Sequence, residues 1–223
     1  MLRIALASVL SHKVRLLLTS LAIVLGVMFV SGSFVLTDTI TSSFNNLLGD
    51  ISAGTDVYVR PTPPEFGNDF GALFPSMPEE VVDDVAAVEG VAIAEGSVEG
   101  LAQIIDTEGN AIGGQGPPTL GFSWGVNEEL SPVSIAPGDG RPPEAPGEVV
   151  IDRGSAETGG LAVGDVIGIA ANGPVEEFTL VGIAGFGEAD NLLGATLAAF
   201  EYREAQRVLG MEGGVASINV AAE

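Results

Sequence analysis

Residues Leu16 to Leu36 read LLLTSLAIVLGVMFVSGSFVL, a stretch of 21 residues without a charged side chain. An α-helix rises about 1.5 Å per residue, so a helix of this length spans roughly 31 Å, close to the ~30 Å hydrocarbon core of a bilayer. The hydroxyls of its serine and threonine residues can hydrogen-bond to the backbone of their own helix. The stretch therefore predicts a transmembrane helix.

Two other interpretations of this stretch are weaker. A cleaved signal peptide has an apolar core of about 7–15 residues and a small-residue cleavage site. The stretch is longer and no clean A-x-A site follows it, although Ser31 and Ser33 are small. A buried helix of a soluble core does not explain why basic residues lie on one side of the stretch and acidic residues on the other.

The charge of the chain changes sign across this stretch. Residues 1–36 carry Arg3, Lys13 and Arg15 and no acidic side chain, whereas all 30 acidic residues lie at or after Asp38. Because basic residues favour the cytoplasmic side of a membrane, we predict a cytoplasmic N-terminus. Residues after about 37 are then extracytoplasmic, and the location is the plasma membrane of the cell.

The first fifteen residues mix apolar side chains with Arg3, His12 and Lys13. This pattern suits an amphipathic helix over residues 1–15 that lies in the membrane interface, with its cations near lipid phosphates. The lipid bilayer is therefore a predicted partner. We interpret His12, the one histidine of the chain, as an interfacial residue and not as a catalytic one.

The helical period continues beyond the apolar stretch. Apolar side chains recur three or four residues apart at Leu36, Ile40, Phe44, Leu47 and Ile51. Such spacing places them on one helix face, so we predict a transmembrane helix and stalk over residues 16–51. A stripe of this kind favours packing beside other helices.

Composition excludes several functional classes. The chain has no cysteine, which excludes a disulfide, a thiol nucleophile and a cysteine-ligated zinc site. Its one lysine, Lys13, does not follow a G-x-x-x-x-G pattern, so a Walker A loop is absent. The net charge of −22 argues against nucleic acid as a partner, because phosphates would repel the protein.

Residues 52–223 carry the signals of a mixed domain. Strands are predicted at residues 56–60, 90–105, 148–152, 166–170, 178–183 and 217–220. Asn172-Gly173 predicts a hairpin turn, and residues 155–158 predict a helical turn. A helix is predicted from Glu201 to Leu209, where Gly210 ends it.

Another helix is predicted to begin at Ser76 to Pro78, with serine as its cap and proline in its first turn. Its apolar face would consist of Val81, Val82, Val85 and Val88. Its solvated face would consist of Glu79, Glu80, Asp83 and Asp84. These acidic residues leave a calcium site open as an alternative, although their spacing is not that of an EF-hand.

The middle of the domain is rich in glycine and proline. We predict that residues of about 101–146 form a small β-rich inserted lobe, with Trp124 as a packing anchor. The flanking halves, about 52–100 and 147–223, would pack together. The fold class is thus α+β: an N-terminal transmembrane and stalk helix followed by a mixed α+β extracytoplasmic domain.

No residue of the chain is predicted to be catalytic, cofactor-binding or metal-ligating. Asp106-Thr107 lacks the following glycine of an aspartic-protease motif, and Gly113 to Gly116 lacks the helix that a phosphate-binding loop requires. A surface hydrolase with paired carboxylates is a weak hypothesis, because thirty acidic residues produce accidental pairs. A solvated acidic surface explains them better.

Several segments together resemble one protein family. HKVRLLLTSLAIVLGVMFV (12–30) followed by DVYV (56–59) is similar to the start of MacB/FtsX-type ABC transporter permeases. GEVVIDRGSAETGGLAVGD (147–165), FTLVGIAG (178–185), EYREAQRVLG (201–210) and SINV (217–220) resemble the extracytoplasmic core domain of that family.

The resemblance implies a permease subunit that is not itself an enzyme. ATP would be hydrolysed on a separate cytoplasmic ATP-binding subunit, and a permease dimer would transmit the movement mechanically to substrate outside the membrane. Family members have four or more spans, whereas one is predicted here, so we expect a fragment of a longer permease. The alternative is a single-pass, membrane-anchored extracytoplasmic binding or sensing module without transport.

Overall fold

The structure is a computed structural model that describes residues 14, 17–18, 20–34, 54–62, 74–113, 118–131, 133–185 and 194–223. The chain divides into two compact units, Met1–Asn46 and Leu47–Glu223. The predicted interfacial helix, apart from the helical Val14, and the predicted stalk beyond residue 34 lie outside the described residues.

The first unit contains helix α1, which is continuous over residues 20–34. Its side chains are apolar on every side, and each of them is exposed, with Phe29 at 78%. Within the described part of the chain, no helix combines the length and the apolar character needed to cross a membrane.

The second unit is built mainly from strands. These are β1 (Val57–Val59), β2 (Met77–Pro78), β3 (Val91–Ser97), β4 (Glu99–Leu101), β5 (Gln103–Ile105), β6 (Ala111–Ile112), β7 (Thr119–Ser123), β8 (Ser134–Gly140), β9 (Glu148–Asp152), β10 (Val166–Ala170), β11 (Glu176–Gly185), β12 (Thr196–Phe200), β13 (Gly214–Val215) and β14 (Ser217–Ala222). The helices are α2 (Glu80–Ala86), α3 (Arg153–Gly159) and α4 (Tyr202–Leu209). This arrangement confirms the predicted mixed α+β class.

A small layer is formed by the antiparallel sheet β1-β14-β3. One face of this sheet packs against α2 through a cluster around Val215, Ile218 and Val220. Val81, Val82 and Val85 join this cluster as predicted, whereas Val88 is 56% exposed and does not.

The predicted start of α2 is wrong. Pro78 pairs with Gly214 in the short ladder between β2 and β13, and α2 begins two residues later at Glu80. The residue that precedes the helix is Glu79, which makes no side-chain capping bond. A partner strand more than a hundred residues away therefore overrides the local signal of serine and proline.

A large layer is formed by the nine-stranded mixed sheet β4-β7-β12-β9-β11-β10-β5-β6, with β8 paired to β11. The pairs β7/β12 and β9/β11 are parallel and the other pairs are antiparallel. The sheet curls back on itself, because the consecutive strands β4 and β5 lie near its two ends.

The main core fills the concave side of this sheet and is closed by α4. Phe178 and Phe200 meet edge to face with ring centroids 5.2 Å apart in its centre. The opposite face carries a second cluster around Val150, Val181 and Leu197. Trp124 packs against that second cluster of the large sheet, so it is a packing residue but not the anchor of a separate lobe.

The structure does not confirm a separate inserted lobe. Strands β5, β7 and β8 come from the middle segment, and they pair with β10, β12 and β11 of the following segment in one sheet. Short strands from a segment rich in glycine and proline find hydrogen-bond partners in the large sheet instead of forming a sheet of their own. Instead, the chain passes from the small layer to the large sheet between β3 and β4, and it leaves the large layer between α4 and β13.

Candidate functional site

The small sheet has a polar face that is turned away from α2. Tyr58, Asn219 and Glu95 stand directly opposite one another on β1, β14 and β3, so their side chains share one face. Ser217 and Ser97 form the next pair on the same face. This polar face lines a cleft between the small and the large layers.

The facing wall of the cleft is apolar and comes from the large layer. Leu120 and Phe122 of β7 and Leu197 of β12 lie on the side of the sheet that carries the second cluster. Leu130 and Val133 complete the wall from the connection that follows β7. The cleft has a volume of about 230 Å³.

Glu95 fixes one rim of the cleft. Its carboxylate accepts hydrogen bonds from the backbone N–H groups of Val126 (2.6 Å) and Asn127 (3.1 Å) and from Asn127 Nδ2 (2.6 Å). A single side chain of the small layer therefore holds the connection that leaves β7 of the large layer. Because hydrogen bonds to a charged group are the stronger kind, this contact links the two layers firmly at the rim of the cleft.

The cleft also contains a polar atom without a partner. Asn219 Oδ1 is buried and accepts no hydrogen bond from the residues that the structure describes, although its residue lines the cleft. An unpaired buried acceptor costs free energy that a donor on a bound molecule would recover. By contrast, Glu99 at the same cleft accepts a hydrogen bond from Ser217 Oγ at 2.9 Å.

An acidic groove of about 470 Å³ adjoins the cleft at Glu95. Glu79, Glu80 and Asp83 line this groove together with Tyr202. The Arg203 guanidinium lies 2.7 Å from Glu79 and lowers the pKa of that carboxyl below its usual value. Burial, reinforced by the charge of Glu79, raises the pKa of Tyr202 to about 12.

Asp106, which the sequence analysis compared with a protease motif, has a structural role in a turn. Asp106 Oδ1 accepts the backbone N–H groups of Glu108 and Asn110 and so closes the turn between β5 and β6. The hydrogen bonds from Asn110 lower the pKa of Asp106. Over the described ranges, no group of three or more acidic or histidine side chains is placed to hold a metal ion. His12 lies outside the described residues.

The sequence alone did not reveal the cleft. Its two walls come from strands that are far apart in the chain, and Asn219 is unremarkable within SINV. The alternation of apolar and polar residues along β14 indicates a two-faced strand, but not what the polar face meets.

Comparison with protein families identifies the chain. The family model described as "MacB-like periplasmic core domain" matches residues 16–223. The chain belongs to the MacB-like periplasmic core domain family. The resemblance predicted from the sequence is thereby confirmed, and the chain is a permease component of the ABC transporter class.

One solved structure agrees with this membership at the level of the fold. The periplasmic region of MacB from Actinobacillus actinomycetemcomitans is similar with a TM-score of 0.52, at 11% identity over 80% of each chain. The extracellular domain of the noncanonic ABC-type transporter YknZ from Gram-positive bacteria gives a TM-score of 0.48, at 15% identity over 74% of this chain and 80% of that one. No curated protein matches the sequence.

Proposed function

We propose that this chain is the N-terminal part of a permease subunit that couples ATP hydrolysis on a separate cytoplasmic subunit to substrate handling outside the plasma membrane. The main support for this proposal is the family match, which begins at residue 16 and so includes α1 as well as the core domain. In this proposal, residues 16–51 are the transmembrane helix and stalk, and residues 52–223 are the extracytoplasmic domain.

The exposed surface of α1 supports a membrane location. Each Å² of apolar surface in water costs about 25 cal/mol, so a helix that is apolar all round needs lipid or protein around it. The acidic core domain and the basic N-terminal residues favour the orientation with the N-terminus in the cytoplasm.

The start of the core domain offers a route for mechanical transmission. Asp56 N donates to the carbonyl of Val220 at 2.8 Å, and the Asp56 carboxylate accepts from Ala222 N at 2.8 Å. The first strand after the stalk is therefore tied at both backbone and side chain to β14, which lies in the centre of the small sheet. A displacement of the stalk would reach β14 directly and would change the spacing of the two layers.

Cysteine accessibility tests the proposed topology, because the native chain has no cysteine. Single variants Asn172→Cys, in the β10–β11 turn, and Ser8→Cys, before α1, are expressed as the full chain in intact cells. A membrane-impermeant maleimide should label the first variant in intact cells and the second only after lysis. Labelling of both variants in intact cells, or of neither, would overturn the orientation.

Cross-linking in native membranes tests the proposed partners. After cross-linking, the tagged permease should be isolated together with a second copy and with a subunit that carries a Walker A motif. Isolation of the chain alone, as a monomer, would contradict the transporter proposal and favour the membrane-anchored binding module.

A further inference from the structure

We propose that the cleft between the two layers binds a small aromatic molecule of about the size of an indole, which carries a hydrogen-bond donor and no negative charge. The proposal concerns a site within the core domain and does not depend on transport or on the ATP-binding subunit. It follows from four properties of the cleft: its volume, its apolar wall, its unpaired acceptor and its charge.

The volume sets the size of the ligand. An engineered apolar cavity of about 150 Å³ accommodates benzene, whereas sites for drug-sized ligands measure roughly 300–1,000 Å³. At about 230 Å³, the cleft suits one or two fused rings and is too small for a macrocycle or a lipid.

The walls favour an aromatic body. Leu120, Phe122 and Leu197 present an apolar surface on one side, and the Phe122 ring can pack edge to face or offset against a second ring. The other side is the polar face of the small sheet, so a flat molecule would lie with one face against hydrocarbon and one edge toward Asn219.

The unpaired acceptor determines which polar group the ligand needs. Within the described part of the chain, Asn219 Oδ1 is buried without a hydrogen bond, and it stands between Tyr58 and Glu95 on the neighbouring strands. A ring N–H or O–H would satisfy this oxygen, whereas a ligand without a donor would leave it unpaired. With the amide in this orientation, the difference favours a ligand that carries a donor.

The charges around the cleft exclude anions. Among the described residues of its lining, Glu95 and Glu99 face one cation, Arg60, whose guanidinium lies over the Tyr58 ring at 5.6 Å. The adjoining groove adds the carboxylates of Glu79, Glu80 and Asp83, of which Glu79 is paired with Arg203. A ligand with an ammonium group would therefore bind more tightly than a neutral one, and a carboxylate would weaken binding.

The test uses the full chain in nanodiscs and calorimetric titration with four molecules that share a fused six- and five-membered ring system. We expect indole to bind at least tenfold more tightly than benzothiophene, which lacks the ring N–H. Tryptamine should bind more tightly than indole, and indole-3-acetate should not bind. The variant Ser97→Phe fills the cleft. Titration of this variant in otherwise identical nanodiscs therefore measures how much of each molecule partitions into the lipid.

Two variants separate the donor requirement from general binding. Asn219→Leu should remove the difference between indole and benzothiophene, whereas the matched variant Asn172→Leu, in an exposed turn, should leave it unchanged. Each variant is used only if its urea midpoint shows a folded domain. If Asn219→Leu does not fold, the comparison with Ser97→Phe tests whether indole binds in the cleft, and the four-ligand series on the native chain tests whether binding requires a donor.

The proposal is overturned if indole binds native and Ser97→Phe protein equally. It is also overturned if benzothiophene matches indole on the native chain, or if indole-3-acetate binds as tightly as tryptamine. The topology and cross-linking experiments are unaffected by any of these outcomes, so failure of the site and failure of the permease proposal are distinguishable.

Discussion

Replacement of Asp152 by alanine should destabilise the core domain more than any surface carboxylate does. Asp152 is 2% exposed at the end of β9, and its side chain accepts from Ser155 N (2.8 Å), Ser155 Oγ (2.6 Å) and Leu197 N (2.8 Å). It therefore caps α3. It also accepts a hydrogen bond from the backbone N–H of Leu197 in β12, at the point where the β9–β12 ladder ends.

The expected loss can be assembled from these contacts. Loss of the N-cap costs about 1 kcal/mol. A buried backbone donor left unpaired at Leu197 costs about 1–3 kcal/mol. Together they predict a decrease of about 3 kcal/mol in the free energy of unfolding of Asp152→Ala, which lowers the urea midpoint by roughly 1.5 M if the slope is about 2 kcal/mol per M.

Urea titration followed by the fluorescence of Trp124, the one tryptophan of the chain, measures this loss. Asp106→Ala is the matched control, since Asp106 also accepts two backbone N–H groups, but in an exposed turn. The control should lose less than about 1 kcal/mol. Equal losses for the two variants, or a loss below 1 kcal/mol for Asp152→Ala, would refute the assigned role of the buried carboxylate.

Two further predictions concern charge and packing. Arg141 hydrogen-bonds to Glu148 and lowers the pKa of that carboxyl to about 2, so its stabilising effect is complete above pH 4.5 and is lost as the pH falls toward 2. Glu148→Gln should flatten the decline of the urea midpoint in that window, and an unchanged decline would contradict the assignment. Gly121→Ala places a β-carbon 2.8 Å from Ala102 Cβ and from Leu209 Cδ2, which should cost about 1–3 kcal/mol in urea titration. Gly173→Ala, with nothing within 4 Å, is its control, and equal effects would argue against overpacking.

Elements with strong local signals were predicted well. The hairpin at Asn172-Gly173 joins β10 and β11 in antiparallel register, and α4 ends at Gly210 with φ of 72°. Gly210 adopts a left-handed backbone conformation that few residues other than glycine adopt, so its residue type indicates the helix end, whereas Gly173 takes part in its turn without a positive φ.

Elements that depend on distant partners were not predicted. The strand β12 is buried at every position from Thr196 to Phe200, so it has no alternation of apolar and polar residues and gave no signal. Pro78 reads as a helix start but pairs in a strand with Gly214. In both cases the pairing partner lies elsewhere in the chain, and no window of sequence contains it.

The sequence by itself determined what depends on composition and on neighbouring residues: the uncharged stretch after basic residues, the acidic remainder, and the strands and turns that identify the family. Only the tertiary structure decided the division into two layers, because strands from the middle segment pair across the whole domain. It alone placed Asn219 Oδ1, which has no hydrogen-bond partner among the described residues, opposite the apolar wall of Phe122. A cleft exists only between surfaces that distant segments bring together, and local propensity carries no information about that distance.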